Sequence, residues 1–343
     1  MTDFQPAKAV TRAYMAAFDA AAPADRLAAL QAHTGKDYHW RGLHPFHEQS
    51  GAQEVIDAFW APLLSSFSAL QRRETIFFAG LNDTDGQSSV WTCSMGHFKA
   101  LFDQDWLGIP ATRKIAMIRY AEFHRIDGGK IAETALFIDI LDVIHQAGLN
   151  PLPPQTAASF VHPGPLTNDG QLFDAQDPAE GAKTLKTIND MAANISKANA
   201  IIQGKSDAKP LTPREELSQH WHEDMAWYGP AGIGAVFTIE RYVEQHQQPF
   251  RRQLANRVFN GHVARIAEGN YGGFFGWPNL TVTPTGGYLG LPGSNRPSDM
   301  RVVDVYRRDG DKLAENWVFI DILHFLNQQG LDVLGRLAEV KRT

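Results

Sequence analysis

The chain repeats itself. Residues 130–150 (KIAETALFIDILDVIHQAGLN) and residues 312–332 (KLAENWVFIDILHFLNQQGLD) are identical at eleven of twenty-one positions, at a constant offset of 182. Two unrelated segments would share far fewer residues over that length. The sequence therefore predicts two related structural units in one chain.

Each copy of the repeat starts at a turn and ends at a glycine. The Asp-Gly pairs at 127–128 and 309–310 follow apolar runs, and Gly accepts the positive φ that a tight hairpin turn requires. A strand is expected next, followed by a short helix that ends at Gly148 or Gly330. Each unit should thus close with a strand that leads into a helix.

Alternation along these strands puts an acid at the end of an apolar face. One face of the first strand carries Glu133, Ala135, Phe137 and Asp139, and one face of the second carries Glu315, Trp317, Phe319 and Asp321. We expect the aromatic members of these faces to line pockets.

Composition restricts the class of protein. With 343 residues, 43% of them apolar and 20% charged, the chain suits two soluble domains. No run of eighteen apolar residues is long enough to cross a membrane, and residues 1–10 lack the pattern of a signal peptide. A net charge of −6 provides no basic surface for nucleic acid. We expect a cytoplasmic protein whose partner is a small molecule.

The repeat extends beyond its best-matched stretch. Trp40 recurs as Trp227 and Pro62 as Pro249, both at an offset of 187. The sequence predicts one domain over residues 1–150 and another over 178–343. They are joined by a linker at 151–177 that is rich in Pro, Gly, Asn and Asp. Aligning residues 269–274 with 96–101 predicts a nine-residue insertion in the second unit.

Periodicity predicts helices first and long strands afterwards in each unit. Helical spacing covers 7–18, 25–32 and 53–67, the last interrupted at Pro62, and strands are expected at 74–80, 88–99 and 114–125. This order predicts an α+β fold in which a curved antiparallel sheet wraps on helices. Such a sheet leaves a pocket.

Four short motifs in the first copy resemble one family. They are Gly96-His97, Gly108-Ile109-Pro110-Ala111-Thr112, Gly129-Lys130-Ile131-Ala132-Glu133 and Asp139 before the last helix. Their order, partly kept in the second copy, resembles the SnoaL-like polyketide cyclases of the nuclear-transport-factor-2-like superfamily. The resemblance covers about four fifths of the chain.

The resemblance implies two cone-shaped α+β barrels, each with an interior pocket, arranged as a pseudo-dimer within the chain. Further homo-oligomerisation is left open. It also implies a cofactor-free enzyme in which an Asp acts as general acid/base on an enolisable carbonyl, in an aldol-type cyclisation or an isomerisation. Because the superfamily hosts several activities, a hydrolase or dehydratase and a non-catalytic binding or scaffolding protein remain alternatives.

Asp139 and Asp321 are the predicted acid/base residues. A carboxylate facing an apolar pocket has its pKa raised and can take a proton next to a carbonyl. Either residue would equally serve as the N-cap of the following helix. His97 is predicted to donate a proton or to orient the carbonyl, with Asn270 and Tyr271 as its polar counterparts in the second unit. The first unit is favoured because it has His97 and the Gly-Ile-Pro turn.

Trp40, Trp227 and Trp317 are expected to line the pockets with Phe137 and Phe319, since aromatic rings stack on planar ligands. His39, His44, His47 and Glu48 also suggest metal ligands, but they lie in a segment with Gly42 and Pro45, and no second cluster in the sequence completes the set. No metal is predicted. The lone Cys93 excludes an internal disulfide and lies in an apolar strand.

Overall fold

A computed structural model describes residues 3–159 and 163–340. Residues 160–162 of the predicted linker lie outside the described residues, as do the first two residues of the first predicted domain and the last three of the second. Within the described residues, no helix combines the length and apolar character that crossing a membrane requires.

The first unit consists of six strands and five α-helices. In chain order they are α1 Gln5–Ala20, α2 Arg26–His33, β1 Thr34–Gly42, β2 His47–Ser50, α3 Ala52–Val55, α4 Ala61–Ser66, β3 Phe67–Leu81, β4 Val90–Phe102, β5 Ile115–Asp127, β6 Lys130–Ile138 and α5 Ile140–Gln146. A π-helical turn, Ile56–Trp60, joins α3 to α4.

The second unit repeats this order with one exception. It contains α6 Pro178–Ile202, α7 Pro213–Ser218, β7 Trp221–Tyr228, β8 Ala235–Phe237, α8 Ile239–Tyr242, α9 Gln248–Gln253, β9 Leu254–Phe259, β10 Ala264–Glu268, β11 Tyr271–Pro284, β12 Ser298–Asp309, β13 Lys312–Ile320 and α10 Ile322–Gln328. The exception is that β9 and β10 together take the place of β3. Its π-helical turn, Val243–Gln247, lies at an offset of 187 from the first. Each π turn leads into a proline, Pro62 or Pro249, which has no N–H to continue the regular ladder. The interruption predicted at Pro62 is thus a widened turn within a continuing helical segment.

Each unit has one sheet, and the α+β prediction is confirmed. The strand orders are β2-β1-β6-β5-β4-β3 and β10-β11-β12-β13-β7-β8, with β9 paired to β11. The predicted antiparallel sheet is corrected in one respect, because β1 pairs with β6 in parallel, as β7 does with β13. The sheets are open rather than closed barrels, since the first and last strands of each order do not pair with each other.

The central strands are buried on both faces. Leu136 and Ile138 of β6 point to the helices of their own unit, while Ala135 and Phe137 point to the other sheet. An apolar layer between the sheets includes residues from both units, with Phe275 at its centre: its ring lies 5.5 Å from that of Trp91 and 5.2 Å from that of Phe123. The two units therefore form an intrachain pseudo-dimer joined face to face.

Strand register corrects the predicted insertion. Gly96 pairs with Tyr120 and Gly276 pairs with Val302, so Gly96 corresponds to Gly276 and not to Gly269. Immediately after Gly276 the strand bulges over residues 277–279. The predicted correspondence of Asn270 with His97 therefore fails: Asn270 lies in the tight turn between β10 and β11. The misalignment arose because the second unit has a shorter hairpin before β11 and extra residues within it.

Truncating Phe275 should show how strongly the layer between the sheets stabilises the protein. Phe275 is fully buried, so Phe275→Ala is expected to lower the free energy of unfolding by about 3–5 kcal/mol through lost burial and a residual cavity. The matched control is Phe237→Ala, at a residue that is 60% exposed. It should change the free energy of unfolding by less than about 1 kcal/mol. Denaturant unfolding measures both, and equal effects would contradict a face-to-face core.

Candidate functional site

The second unit encloses a cavity of about 420 Å³ between its sheet and its helices. Helix α6, the π turn and strands β7, β11, β12 and β13 supply most of its lining. Ala193, Ser196 and Phe259 line it and are also exposed, which places the mouth beside α6. This volume lies in the range of small-molecule sites.

The cavity exists because the second unit has smaller side chains where the first has large rings. Gln247 is the last residue of the second π turn, where the first unit has the buried Trp60. Leu280 pairs with Met300 as Phe98 pairs with Ile118, so a leucine occupies the position of a phenylalanine. In the first unit the rings of Trp60 and Phe98 lie 5.8 Å apart and fill the same space.

Asp304 is the carboxylate of this cavity. It lies on β12, where alternation turns it away from the layer between the sheets and toward the helices. Its Oδ1 accepts hydrogen bonds from Tyr306 Oη at 3.1 Å and Asn316 Nδ2 at 3.3 Å. Among the described residues no hydrogen bond ends on Oδ2, which stays available to a ligand. Burial raises the pKa of Asp304 to about 7, against the lowering effect of these hydrogen bonds.

Glu122 occupies the position of Asp304 in the first unit and has the opposite electrostatics. Although its burial acts to raise the pKa, the Arg72 guanidinium, 2.7 Å from Glu122 Oε2, is the main reason that the pKa falls to about 2. Phe259 stands where Arg72 does, since it pairs with Leu280 as Arg72 pairs with Phe98. Because the second unit has no arginine at this position, the pKa of Asp304 lies near 7.

Two neutral histidines stack on aromatic rings in the cavity wall. His246 lies 4.1 Å from the Trp227 ring and His262 lies 3.9 Å from the Phe274 ring. Burial lowers the pKa of each to about 3, with the nearby Arg265 also acting on His262. Arg265 Nη2 lies 2.9 Å from His262 Nδ1. Because a guanidinium can only donate, Nδ1 accepts and Nε2 of the neutral ring bears the proton.

Two amide groups in the wall have unpaired oxygens. Gln247 Oε1 and Asn279 Oδ1 are buried without a partner among the described residues, and both side chains line the cavity. The bulge after Gly276 is what brings Asn279 there. A buried polar atom without a hydrogen bond costs about 1–3 kcal/mol, so a ligand that donates to these amides would be favoured.

The predicted acids Asp139 and Asp321 lie elsewhere, at the joint between the units. Each caps its own helix: Asp139 Oδ1 accepts from the Asp142 amide and Asp321 Oδ1 accepts from the His324 amide, both at 3.1 Å. Their Oδ2 atoms accept from the opposite unit, from Ala231 N and His44 N, both at 2.9 Å. Both carboxylates are thus occupied by backbone amides in a pseudo-twofold arrangement.

Space at that joint is small. Asp139 and Asp321 line one gap of about 10 Å³, roughly the room that a single water molecule needs. Burial raises the pKa of Asp321 to about 6, although His44 N and Arg301 act to lower it. The corresponding Arg119 donates to the Tyr228 and Gly229 carbonyls of the other unit. This geometry suits a structural contact between units.

Four of the other eight predicted site residues face the layer between the sheets. Phe137, Tyr271, Trp317 and Phe319 belong to it, a correction that follows from which strand face each residue occupies. His97 pairs across the sheet with Arg119 on the same side; its burial and the Arg119 charge lower the pKa of His97 to about 4.

Three predicted residues complete this comparison. Trp227 lines the cavity. Its counterpart Trp40 is packed in the first unit's core, 5.3 Å from the Phe59 ring. Asn270 accepts a hydrogen bond from Arg308 in its turn.

Asp304 was missed by sequence reasoning, although a signal existed. A lone acid interrupts a β-branched run in Val302-Val303-Asp304-Val305-Tyr306. Burying such a residue in a strand costs free energy unless the carboxylate is hydrogen-bonded or paired. Its offset of 182 from Glu122 also places it within the repeat. The strand face that contains Asp304 was not predicted to line a pocket, because the aromatic residues on the opposite face were predicted to do so.

Solved structures that match this chain include nuclear-transport-factor-2-like proteins and candidate polyketide cyclases. One from Burkholderia xenovorans, described as nuclear-transport-factor-2-like, is 12% identical, with 43% of this chain and 97% of that chain covered and a TM-score of 0.33. A candidate SnoaL-like polyketide cyclase from a Jannaschia species is 18% identical (41% and 90% covered, TM-score 0.31). A candidate polyketide cyclase from Xanthomonas campestris is 16% identical (43% and 99% covered, TM-score 0.34).

Each of these proteins is therefore aligned over nearly its whole length with less than half of this chain. Their descriptions name the same superfamily or family as the one that the sequence motifs resemble. A scan against models of protein families found no match, and neither did a search of curated proteins.

Stability should depend on pH through Asp304. Because its folded pKa is raised, ionisation destabilises the fold; the cost is absent below its unfolded pKa near 4 and fully present above about pH 7. Asp304→Asn is expected to raise the free energy of unfolding at pH 8 by roughly 2–4 kcal/mol, at about 1.4 kcal/mol per pKa unit. Little change is expected at pH 4. Unfolding curves at both pH values test this, and a gain independent of pH would contradict it.

Removing Asp139 should destabilise the joint. Asp139→Ala loses the cap, worth about 1 kcal/mol, and leaves the buried Ala231 amide unpaired, which costs about 1–3 kcal/mol. The expected loss is roughly 2–4 kcal/mol in urea unfolding. Asp127→Ala, at a side chain that is 72% exposed, is the control. An Asp139→Ala protein as stable as that control would argue against this structural role.

Proposed function

We propose that the protein is an acid–base enzyme that binds a small, largely apolar carbonyl compound in the second unit's cavity and moves a proton with Asp304. The observation that carries the proposal is a carboxylate with a pKa of about 7 facing a cavity of about 420 Å³. A base whose pKa lies close to the working pH combines a substantial ionised fraction with useful basicity.

In the proposed reaction ionised Asp304 takes a proton from the carbon next to the carbonyl. The electron pair of that C–H bond forms the C=C bond of an enolate, and the π pair of the carbonyl moves onto its oxygen. The Nε2–H of His262 is a suitable donor to the resulting enolate, since Arg265 fixes the tautomer. Asp304 then returns the proton to another carbon, which is an isomerisation. Alternatively the α-carbon of the enolate attacks a second carbonyl carbon of the same molecule, which closes a ring, and the oxygen of that carbonyl takes the proton from Asp304.

The wall favours a flat ligand with hydrogen-bond donors. Stacked pairs such as His246 on Trp227 present ring faces, and the amide oxygens of Gln247 and Asn279 need donors. A hydroxylated aromatic ketone meets both requirements.

This proposal gives Asp304 the acid/base role that the sequence motifs suggested for Asp139 or Asp321. Both oxygens of those residues accept hydrogen bonds from backbone amides, whereas Asp304 lines the cavity and no hydrogen bond from the described residues ends on its Oδ2. The alternative of a binding protein without turnover uses the same cavity but needs no proton transfer, so exchange chemistry separates the two.

The test follows deuterium exchange into 2-tetralone, an enolisable aromatic ketone, by NMR in D₂O. Wild-type protein should accelerate exchange next to the carbonyl, with a rate that rises to a plateau above about pH 7. Asp304→Asn should lower that rate by about 10²–10⁴-fold, a typical contribution of a general base. Asp309→Asn, at the exposed end of the same strand, should exchange like wild type.

Binding of 2-tetralone, followed by Trp fluorescence, separates the remaining outcomes. Gln247→Trp introduces the first unit's residue at the π turn and should abolish both binding and exchange by filling the cavity. Wild-type binding without exchange would overturn the acid–base proposal in favour of a binding protein. Exchange that survives in Asp304→Asn would overturn the role of Asp304.

A further inference from the structure

Three histidines meet at the joint between the two units. In the first unit, His44 lies in the loop before β2 and His47 is the first residue of β2, while His324 comes from α10 of the second unit. One ring nitrogen from each residue can be chosen so that all three lie within 4.8 Å of one another. They lie outside the proposed catalytic cavity.

We propose that these three imidazoles bind one divalent transition-metal ion, with Zn²⁺ as the preferred ion, and thereby join the two units. Neutral imidazole is a good ligand for Zn²⁺, Cu²⁺ and Ni²⁺. Three protein ligands leave a fourth tetrahedral position for water or an exogenous ligand.

Ring separations fit such a centre. Imidazoles bound at about 2.0–2.1 Å around a tetrahedral ion have ring centroids about 5 Å apart. The rings of His44 and His47 are 5.2 Å apart and those of His47 and His324 are 5.8 Å apart, both edge to face. Small rotations of the side chains would bring the nitrogens into a common coordination sphere.

The ring nitrogens are available for coordination. His44 Nδ1 is buried with no hydrogen-bond partner among the described residues. Arg301 Nη1 lies 3.3 Å from His47 Nδ1, which leaves Nε2 of that ring for a metal. His47 also has a φ of 53°, a left-handed conformation that non-glycine residues seldom adopt and that often marks a functional constraint.

The local charge is compatible with a cation. Arg301 is the nearby positive group, but it lies 3.3 Å from the Asp321 carboxylate, which offsets its charge. The negative charge of Asp332 acts on His44 in the direction that favours a positive charge there. The cluster also has no counterpart in the repeat: Ala231, Gly234 and Asp142 occupy the corresponding positions at offsets of 187 and 182.

Tag-free protein, treated with EDTA and then dialysed, should take up one Zn²⁺ per chain in calorimetry. Co²⁺ should give the intense visible d–d bands of a tetrahedral site, bleached by added Zn²⁺. His324→Ala should weaken Zn²⁺ binding about 100-fold or more, because even outer-shell changes cost 10–100-fold. His222→Gln, a histidine of β7 that contacts Asp309 O, should bind like wild type.

A second variant guards against misfolding of the first. His47→Ala should weaken Zn²⁺ binding to a similar degree while its circular dichroism spectrum stays like that of wild type, and Zn²⁺ should raise the Tm of wild type alone. Absence of the Co²⁺ bands, or Zn²⁺ binding of equal strength in wild type and both variants, would overturn the proposal.

Discussion

Side-chain alternation in the central strands is the constraint on which the rest of this structure depends. Residues of β6 and β13 alternate between their own helices and the opposite sheet, so each strand serves two cores at once. The face toward the other unit has to be apolar and tightly packed, as the cluster around Phe275 is. Only the face toward the helices is free to contain space. A pocket in this architecture therefore lies within a unit, and the joint between units is left for contacts that hold the pair together.

Within that constraint the two units diverged in opposite directions. In the first, Trp60, Phe98 and the Arg72–Glu122 ion pair fill the interior; a buried charge is tolerable there because its partner lies at hydrogen-bond distance. In the second, Gln247, Leu280 and Phe259 replace the tryptophan, the phenylalanine and the arginine, and a cavity lies beside Asp304. Gln247 and Leu280 leave the space, and Phe259 stands where the cation would be, so the cavity and the raised pKa of Asp304 occur in the same unit. The unit that retains the Gly-Ile-Pro turn and His97 is the one with the filled interior.

Sequence reasoning recovered the repeat, the order of helices and strands, and the acid at each strand-to-helix junction, because these features are local and recur at fixed offsets. It reached the wrong strand face for Phe137 and Trp317, since periodicity shows that residues share a face but not which partner covers it. Asn270 was misplaced because short motifs aligned glycines across a hairpin of different length, which only the pairing of Gly276 with Val302 resolves. Asp304 was missed for a related reason: its environment depends on Phe259 of β9, two strands away, standing where the first unit has Arg72, and that is a tertiary property.

The joint illustrates why a duplicated fold can acquire features that neither copy has alone. Asp139 and Asp321 each accept a hydrogen bond from a backbone amide of the opposite unit, as expected when both copies retain an ancestral contact. The histidines are not repeated in this way. At the positions of His44 and His47 the second unit has Ala231 and Gly234, so only one side of the joint has the two histidines that meet His324. Three side chains that converge on one point need independent substitutions in two copies, and the contact between units is what makes them adjacent. Covalent fusion matters here: two identical subunits would place the same residues on both sides of the axis, whereas one chain lets each side of the joint change separately.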